Sequence, residues 1–188
     1  YPTMEAWVAT NQNDFFRDEK DQIYMTTTAE GHFDRIARDY DYWKKKNYYY
    51  HDTLKKLCQS YIKSSDSVLE IGCGTGDILA SLTLSRGLGV DISEEMIAKA
   101  HQKYASHGNL RFERADITAW QGLLLYDIII LVDVLEHIDN VSIFIGHLAC
   151  ITKPGSKTII TLANPMWEPV LVVAEKLGLK MPEGPHTR

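Results

Sequence analysis

The chain has 188 residues, 45% hydrophobic and 24% charged, with a formal net charge of −5 and a pI near 5.8. That is the composition of one globular domain with enough apolar side chains to bury a core. The acidic balance argues against broad binding to a nucleic-acid backbone, which needs clustered Lys and Arg.

Residues Tyr1 to Gly31 are polar with scattered aromatics (Trp7, Phe15, Phe16, Tyr24) and read as an arm, partly helical or disordered. The start, Tyr1-Pro2-Thr3, has neither an initiator Met nor a signal-peptide pattern, as in an excised or processed chain. The arm is taken as residues 1–32 and the folded domain as 33–188. Helical periodicity begins at Phe33, with Ile36, Ala37 and Tyr40 at i+3, i+4 and i+7. It resumes with Tyr50, Leu54, Leu57 and Tyr61, where Asp52 is the expected cap and Ser64-Ser65-Asp66 the stop. Between the two stripes, Lys44-Lys45-Lys46 beside Tyr48-Tyr49-Tyr50 reads as a solvated helix face next to buried tyrosines.

From Val68 onward, strand and helix alternate. Val68 to Ile71 is a strand, Asp77 to Ser85 a helix and Leu88 to Asp91 a second strand. Ser93 then caps a helix with Glu94 and Glu95 in its first turn, where carboxylates suit the dipole. Its apolar stripe is Met96, Ile97, Ala100 and Tyr104. Leu110 to Arg114 alternates apolar and charged residues, as a half-buried strand near an edge does. The strand Asp127 to Val132 is apolar at every position after Asp127, as a central parallel strand covered on both faces must be. A helix from Val141 to Cys150, a turn at Pro154-Gly155, a strand from Lys157 to Leu162 and a helix from Pro169 to Leu177, closed by Gly178, complete the pattern. The longest apolar run, Leu123 to Leu135, is broken by Asp127 and Asp133 and is too short to span a bilayer. Cys58, Cys73 and Cys150 form no C-x-x-C pair, which indicates neither a disulfide framework nor a zinc site and fits a reducing cytoplasm. Cys73 reads as a small apolar filler.

Alternating β and α predicts an α/β fold, a doubly wound, mostly parallel sheet with preface helices, whose ligand lies at the carboxyl ends of the strands. Those ends carry the chemistry. Val68-Leu69-Glu70-Ile71 runs into Gly72, Gly74 and Gly76, which free the backbone to turn sharply and lie against a flat ligand. A helix start just beyond would add unpaired N–H groups. Asp91 ends the second strand 21 residues after Glu70, close to the spacing at which an acid meets a ribose diol in such folds. Asp116 follows the third strand and Asp133 the fourth.

With Glu70-Ile71-Gly72-Cys73-Gly74-Thr75-Gly76, Val90-Asp91-Ile92-Ser93, Ala115-Asp116-Ile117, Leu131-Val132-Asp133-Val134-Leu135-Glu136-His137 and Lys153-Pro154-Gly155, the chain resembles the class I S-adenosylmethionine-dependent methyltransferases of the type 11/12-like kind, over about Phe33 to Leu179. The Gly-x-Gly-x-Gly spacing is similar to the methyltransferase form and differs from the Gly-x-Gly-x-x-Gly of dinucleotide folds. The resemblance implies a Rossmann-like sheet of seven strands; no sixth or seventh is legible before Arg188, as in a C-terminally truncated domain, and an open edge at the fifth would favour a homodimer.

The resemblance also implies roles. Gly72, Gly74 and Gly76 approach the methionyl part of S-adenosylmethionine, and Glu70 its ammonium. Asp91 takes the ribose hydroxyls, and Ile92 and Met96 pack on the adenine. Asp116 accepts from the adenine amino group, Ile117 covers the ring, and Val132 and Asp133 line the methionine end. His137 is the candidate base. Asp133-x-x-Glu136-His137 is similar to a cation-binding trio of some quinone-biosynthesis O-methyltransferases, but acid-rich turns here commonly cap the next helix, and no metal is expected. The acceptor is expected to be a small molecule, aromatic or apolar, met by Tyr42, Trp43, Tyr48, Tyr49, Tyr50, Asn164, Met166 and Trp167; neither nucleic acid nor membrane is an expected partner, and the expected location is cytoplasmic. S-adenosylhomocysteine would be the product. Two other readings stay open: a nicotinamide-dependent oxidoreductase, disfavoured by the glycine spacing, and a non-catalytic S-adenosylmethionine-binding module.

Overall fold

The computed structural model describes residues 29–120, 125–138, 140–162, 166, 172–174 and 176–178. The aromatics of the N-terminal arm, Leu123, Asn164, Trp167, the start of the last predicted helix and everything beyond 178 lie outside the described residues. Helix α1 spans Ala29–Lys46, so it already begins within the predicted arm, and α2 spans Tyr48–Tyr61. Strand β1 (Ser67–Ile71) leads to β2 (Arg86–Asp91), α3 (Glu94–Tyr104) and β3 (Leu110–Arg114). Strand β4 (Tyr126–Val132), α4 (Val141–Cys150) and β5 (Thr152–Thr161) follow. Among the described residues the sheet has five strands in the order β3-β2-β1-β4-β5, every pairing parallel. The half-buried pattern of β3 thus puts it at an edge, and the apolar β4 lies inside.

The period of two distributes the core to both faces. Val68, Ile128 and Ile130 pack with Leu54 and Cys58 of α2 and Ile97 and Ala100 of α3. Leu69, Ile71, Ile129 and Leu131 pack with Phe144 and Leu148 of α4. Sheet and helices therefore form three layers, and the strand ends at the carboxyl side share one rim. No helix among the described residues is long and apolar enough to cross a membrane.

Three local expectations need correction. The helix predicted over Asp77–Ser85 shrinks to one 3₁₀ turn, Leu79–Ser81. Ser81 spends its hydroxyl on the Ile78 carbonyl, and Ser85 bonds the Asp66 carbonyl through both N–H and Oγ, drawing the chain straight into β2. Asp52 caps nothing; Asn47 is the N-cap of α2, and Asp52 sits inside the helix, paired with Lys56 four residues on. Pro154-Gly155 does not precede β5 but lies within it: Thr152 pairs with Tyr126, the register then shifts, and the ladder resumes with Lys157 opposite Ile128. Gly155 takes a φ of 89°, which lets the strand bulge there.

Candidate functional site

The glycine turn is held by its neighbours. Gly72 and Cys73 both donate N–H groups to the Val90 carbonyl, so the turn is stitched onto β2. Gly72 has a φ of 69°, and a Cβ there would lie 2.4 Å from Val134 Cγ2. Gly76 has a φ of 80°, and its Cβ would lie 2.6 Å from the Phe112 ring. At both places only glycine supplies the backbone angle and the room.

Asp91 sits under this turn. Its Oδ2 accepts from Gly74 N at 2.7 Å and its Oδ1 from Ser93 N at 2.9 Å. Each oxygen keeps a second lone pair, enough for two donors from a vicinal diol. Burial raises its pKa, against the two N–H bonds that lower it. Ser93, as expected, caps α3, accepting from Met96 N. Asp116 uses Oδ1 for the Thr118 N–H and hydroxyl, and among the described residues no bond claims its Oδ2. Asp133 has a φ of 54°, a left-handed conformation that aspartate tolerates better than most side chains. It is held there by the Thr161 hydroxyl on Oδ1 and by the Tyr50 hydroxyl on Oδ2.

Glu70 is 2% exposed, and its carboxylate accepts from Leu79 N, closing the 3₁₀ turn. Burial pushes its pKa up to about 8, with the Lys44 ammonium opposing. The folded state therefore binds a proton that the unfolded chain has released between pH 4.5 and about 8, so wild-type stability falls as pH rises through that window. Glu70→Gln keeps an acceptor for Leu79 N without the charge. Urea titration is expected to show the variant equal to wild type near pH 5 and more stable at pH 8, and parallel curves at both would contradict this origin of the shift.

A polar network that the sequence reading missed locks α1 onto the turn. Asp77 receives Lys103 and Tyr104 on Oδ1, at 2.8 and 2.6 Å, and Lys44 and Thr75 on Oδ2, at 2.8 and 2.9 Å. Asp41 receives Lys103 at 3.0 Å, and the Thr75 hydroxyl, 2.7 Å from Asp41 Oδ1, shares its one proton between Asp41 and Asp77. Lys44, read as part of a solvated face, is thus half-buried. The tyrosines beside it, read as buried, are the exposed groups: Tyr48 is 70% and Tyr49 75% exposed. The signal was available. Asp41 and Lys44 stand at i+4 and i+7 from Ala37, on the buried stripe of α1, where an unpaired charge is unfavourable.

These elements frame a cleft of about 1880 Å³. That exceeds the ~300–1,000 Å³ of a typical small-molecule pocket and leaves room for two ligands side by side. Glu70, Gly72, Gly74, Asp91, Ile92, Met96, Asp116, Ile117, Val132, Asp133 and His137 all line it. Gly76 is the exception; it faces Phe112 and Tyr104 rather than the cleft wall. Of the expected acceptor residues, Trp43, Tyr48, Tyr49 and Tyr50 line the cleft, whereas Tyr42 and Met166 do not. His137 lies on a 3₁₀ turn after β4 and meets the Phe33 ring edge-on at 5.2 Å. His51, in the first turn of α2, lines the cleft and was not singled out from sequence. Cys73 and Cys58 are buried; burial raises both thiols, that of Cys58 to about 11. Among the described residues, no three His, Cys, Asp or Glu side chains are gathered as a metal ion requires.

A family model described as a methyltransferase domain matches residues 42–187. The ubiquinone biosynthesis O-methyltransferase of Coxiella burnetii (strain Dugway 5J108-111) is 30% identical over 141 residues, 71% of this chain and 60% of that protein. That of Bradyrhizobium sp. (strain ORS 278) is 29% identical over 126 residues, 63% of this chain and 49% of that one. The chain thus spans about half the length of such relatives. Among solved structures, the N-methyltransferase NodS from Bradyrhizobium japonicum WM9, in complex with S-adenosyl-L-homocysteine, superimposes with a TM-score of 0.62 at 20% identity, over 71% of this chain and 72% of that one, a likeness of fold.

Proposed function

The chain belongs to the class I S-adenosylmethionine-dependent methyltransferases, and on that premise we propose that it transfers a methyl group to a hydroxyl of a small aromatic or apolar acceptor. The observation that supports this most is the convergence of Gly72, Asp91, Asp116 and Asp133, from four separate strand ends, on one cleft. The residues suit the cofactor. Gly72 leaves its backbone exposed to a ligand, Gly74 lines the same cleft, and a side chain at Gly72 would collide with Val134. Asp91 and Asp116 hold acceptor lone pairs toward hydroxyls and an amino group, with Ile92, Met96 and Ile117 as apolar walls for a flat base. Asp133 and Val132 line the methionine end. Glu70 lies under the turn as its deepest acid. Lys44 joins these acids in the cleft lining: a methionyl group carries a carboxylate as well as an ammonium, and a paired Lys beside carboxylates suits both.

When bound, the cofactor supplies the activated methyl group. The protein then contributes mainly placement, worth on the order of 7–11 kcal/mol at most. Phe33, Trp43, Tyr48 and Tyr49 around the outer cleft suit a planar acceptor, and the O-methyltransferase relatives favour oxygen as the receiving atom. Isothermal titration is expected to give micromolar binding of S-adenosylmethionine and S-adenosylhomocysteine and no heat with NAD. Binding of NAD in preference to both would overturn the reading.

A further inference from the structure

Resting on the methyltransferase reading above, we infer that His51, rather than His137, is the base that takes the acceptor's hydroxyl proton. The geometry begins with Tyr50. Its hydroxyl bonds the Asp133 carboxylate, so the first turn of α2 is fastened over the end of β4. The next residue, His51, is thereby turned inward. It is half-buried and lines the cleft, while Tyr48 and Tyr49 before it are exposed. The charged groups that act on it are Lys44 of α1, Lys55 of α2, Asp77 beyond the glycine turn and Asp133 after β4. Through the Tyr50–Asp133 bond its helix turn sits over the end of β4, and His51 lines the cleft together with Asp77 and Asp133. His137, by contrast, is exposed and packs on Phe33, on the flank formed by α1.

His51 also has the right protonation state. Burial, then the Lys44 ammonium, push its pKa down to about 4, against the opposing pull of Asp77 and Asp133. Its place in the first turn of a helix acts in the same sense, because the positive dipole end disfavours a cation. The imidazole is therefore neutral at pH 7 and has a lone pair to offer. A base of low affinity for protons accepts one more readily when a neighbouring positive charge leaves in the same step. As the acceptor O–H proton moves to the imidazole nitrogen, the oxygen bonds the methyl carbon and the C–S electron pair stays on sulfur. The sulfonium charge disappears as the imidazolium charge forms. One positive charge is relocated within the cleft and none is created, so the repulsion that the sulfonium adds to burial and Lys44 is gone when His51 must accept the proton.

That relief is measurable without any acceptor. In ¹⁵N-histidine-labelled protein, with resonances assigned through His51→Gln, the His51 imidazole is expected to titrate at least about one pH unit higher in the S-adenosylhomocysteine complex than in the S-adenosylmethionine complex. Equal midpoints for His51 in the two complexes, or a larger difference at His137, would overturn the proposal and leave the methyltransferase reading standing. Failure of both ligands to bind would remove that reading, and this one with it. In turnover on 3,4-dihydroxybenzoate as probe acceptor, His51→Gln is expected to lower kcat about 100-fold. The dissociation constant for S-adenosylhomocysteine should stay within about twofold of wild type, which also reports an intact fold. An unchanged kcat in the variant would overturn the assignment.

Discussion

Asp91→Asn is expected to weaken S-adenosylhomocysteine binding about 100-fold, close to 2.7 kcal/mol, while the protein remains folded. The carboxylate is 8% exposed and faces two backbone donors, Gly74 N and Ser93 N. An amide keeps the shape but turns one acceptor into a donor, so one of these N–H groups meets another donor in a buried place. The glycine turn then loses the contact that holds Gly74, and the ligand loses a charged partner for its diol. Hydrogen bonds to a charged group contribute about 1.5–3 kcal/mol each. One such bond to the ligand, together with the loosened turn, accounts for the expected loss. Calorimetric titration gives the affinity and circular dichroism the fold. An affinity within threefold of wild type would remove Asp91 from the site. Burial also raises the Asp91 pKa, so wild-type affinity should decline on acidification sooner than a solvent-exposed aspartate would allow.

Asp77→Asn is expected to cost about 2–4 kcal/mol of stability at pH 7. Its two oxygens receive two ammonium groups, a phenol and a hydroxyl. Removing the charge leaves Lys44 and Lys103 with Asp41 as the one remaining carboxylate of the cluster. Breaking a buried ion pair costs about 3–5 kcal/mol; here the partners keep 15–29% of their side-chain surface in water, which screens part of it. The pH dependence has a definite sign. Burial alone would raise the Asp77 pKa, but Lys44 and Lys103 outweigh it and hold the carboxyl well below the usual carboxylate range. A depressed carboxylate contributes stability above its unfolded pKa and loses it as pH falls toward the folded value. The gap between wild type and variant should therefore be full at pH 7 and narrow steadily below about pH 4. Coincident urea midpoints at pH 7 would show that the network adds nothing. Because these bonds fasten α1 to the turn, the variant should also open the cleft, detectable as faster amide exchange in α1.

Much of this arrangement was written in local pattern. The strand Leu110–Arg114 and the helix Val141–Cys150 occupy the residues that their periodicity assigns. Periodicity succeeds there because each element buries one face or both, and a single-residue slip would send apolar groups to water. The glycine turn and the acids at the strand ends were equally legible, since positive φ and close approach restrict the residue type. Relations between distant segments were not. The sequence shows Lys44 as one of three consecutive lysines. Its burial depends on Asp77, 33 residues on, which a one-dimensional pattern does not pair with it. The short turn at Leu79–Ser81 likewise depends on Glu70 and Asp66, which draw the chain back before a helix can propagate. His51 carries no signal of its own in the sequence, and its helix turn is placed by Tyr50, whose hydroxyl bonds Asp133, 83 residues away. The order of the elements and the chemistry of the strand ends are thus properties of the chain itself, because they follow from backbone geometry and the burial of short repeats. Which charges are buried together, and which histidine of the cleft is desolvated, arise only when the preface helices close over the sheet, because these depend on desolvation and on distances that folding alone creates.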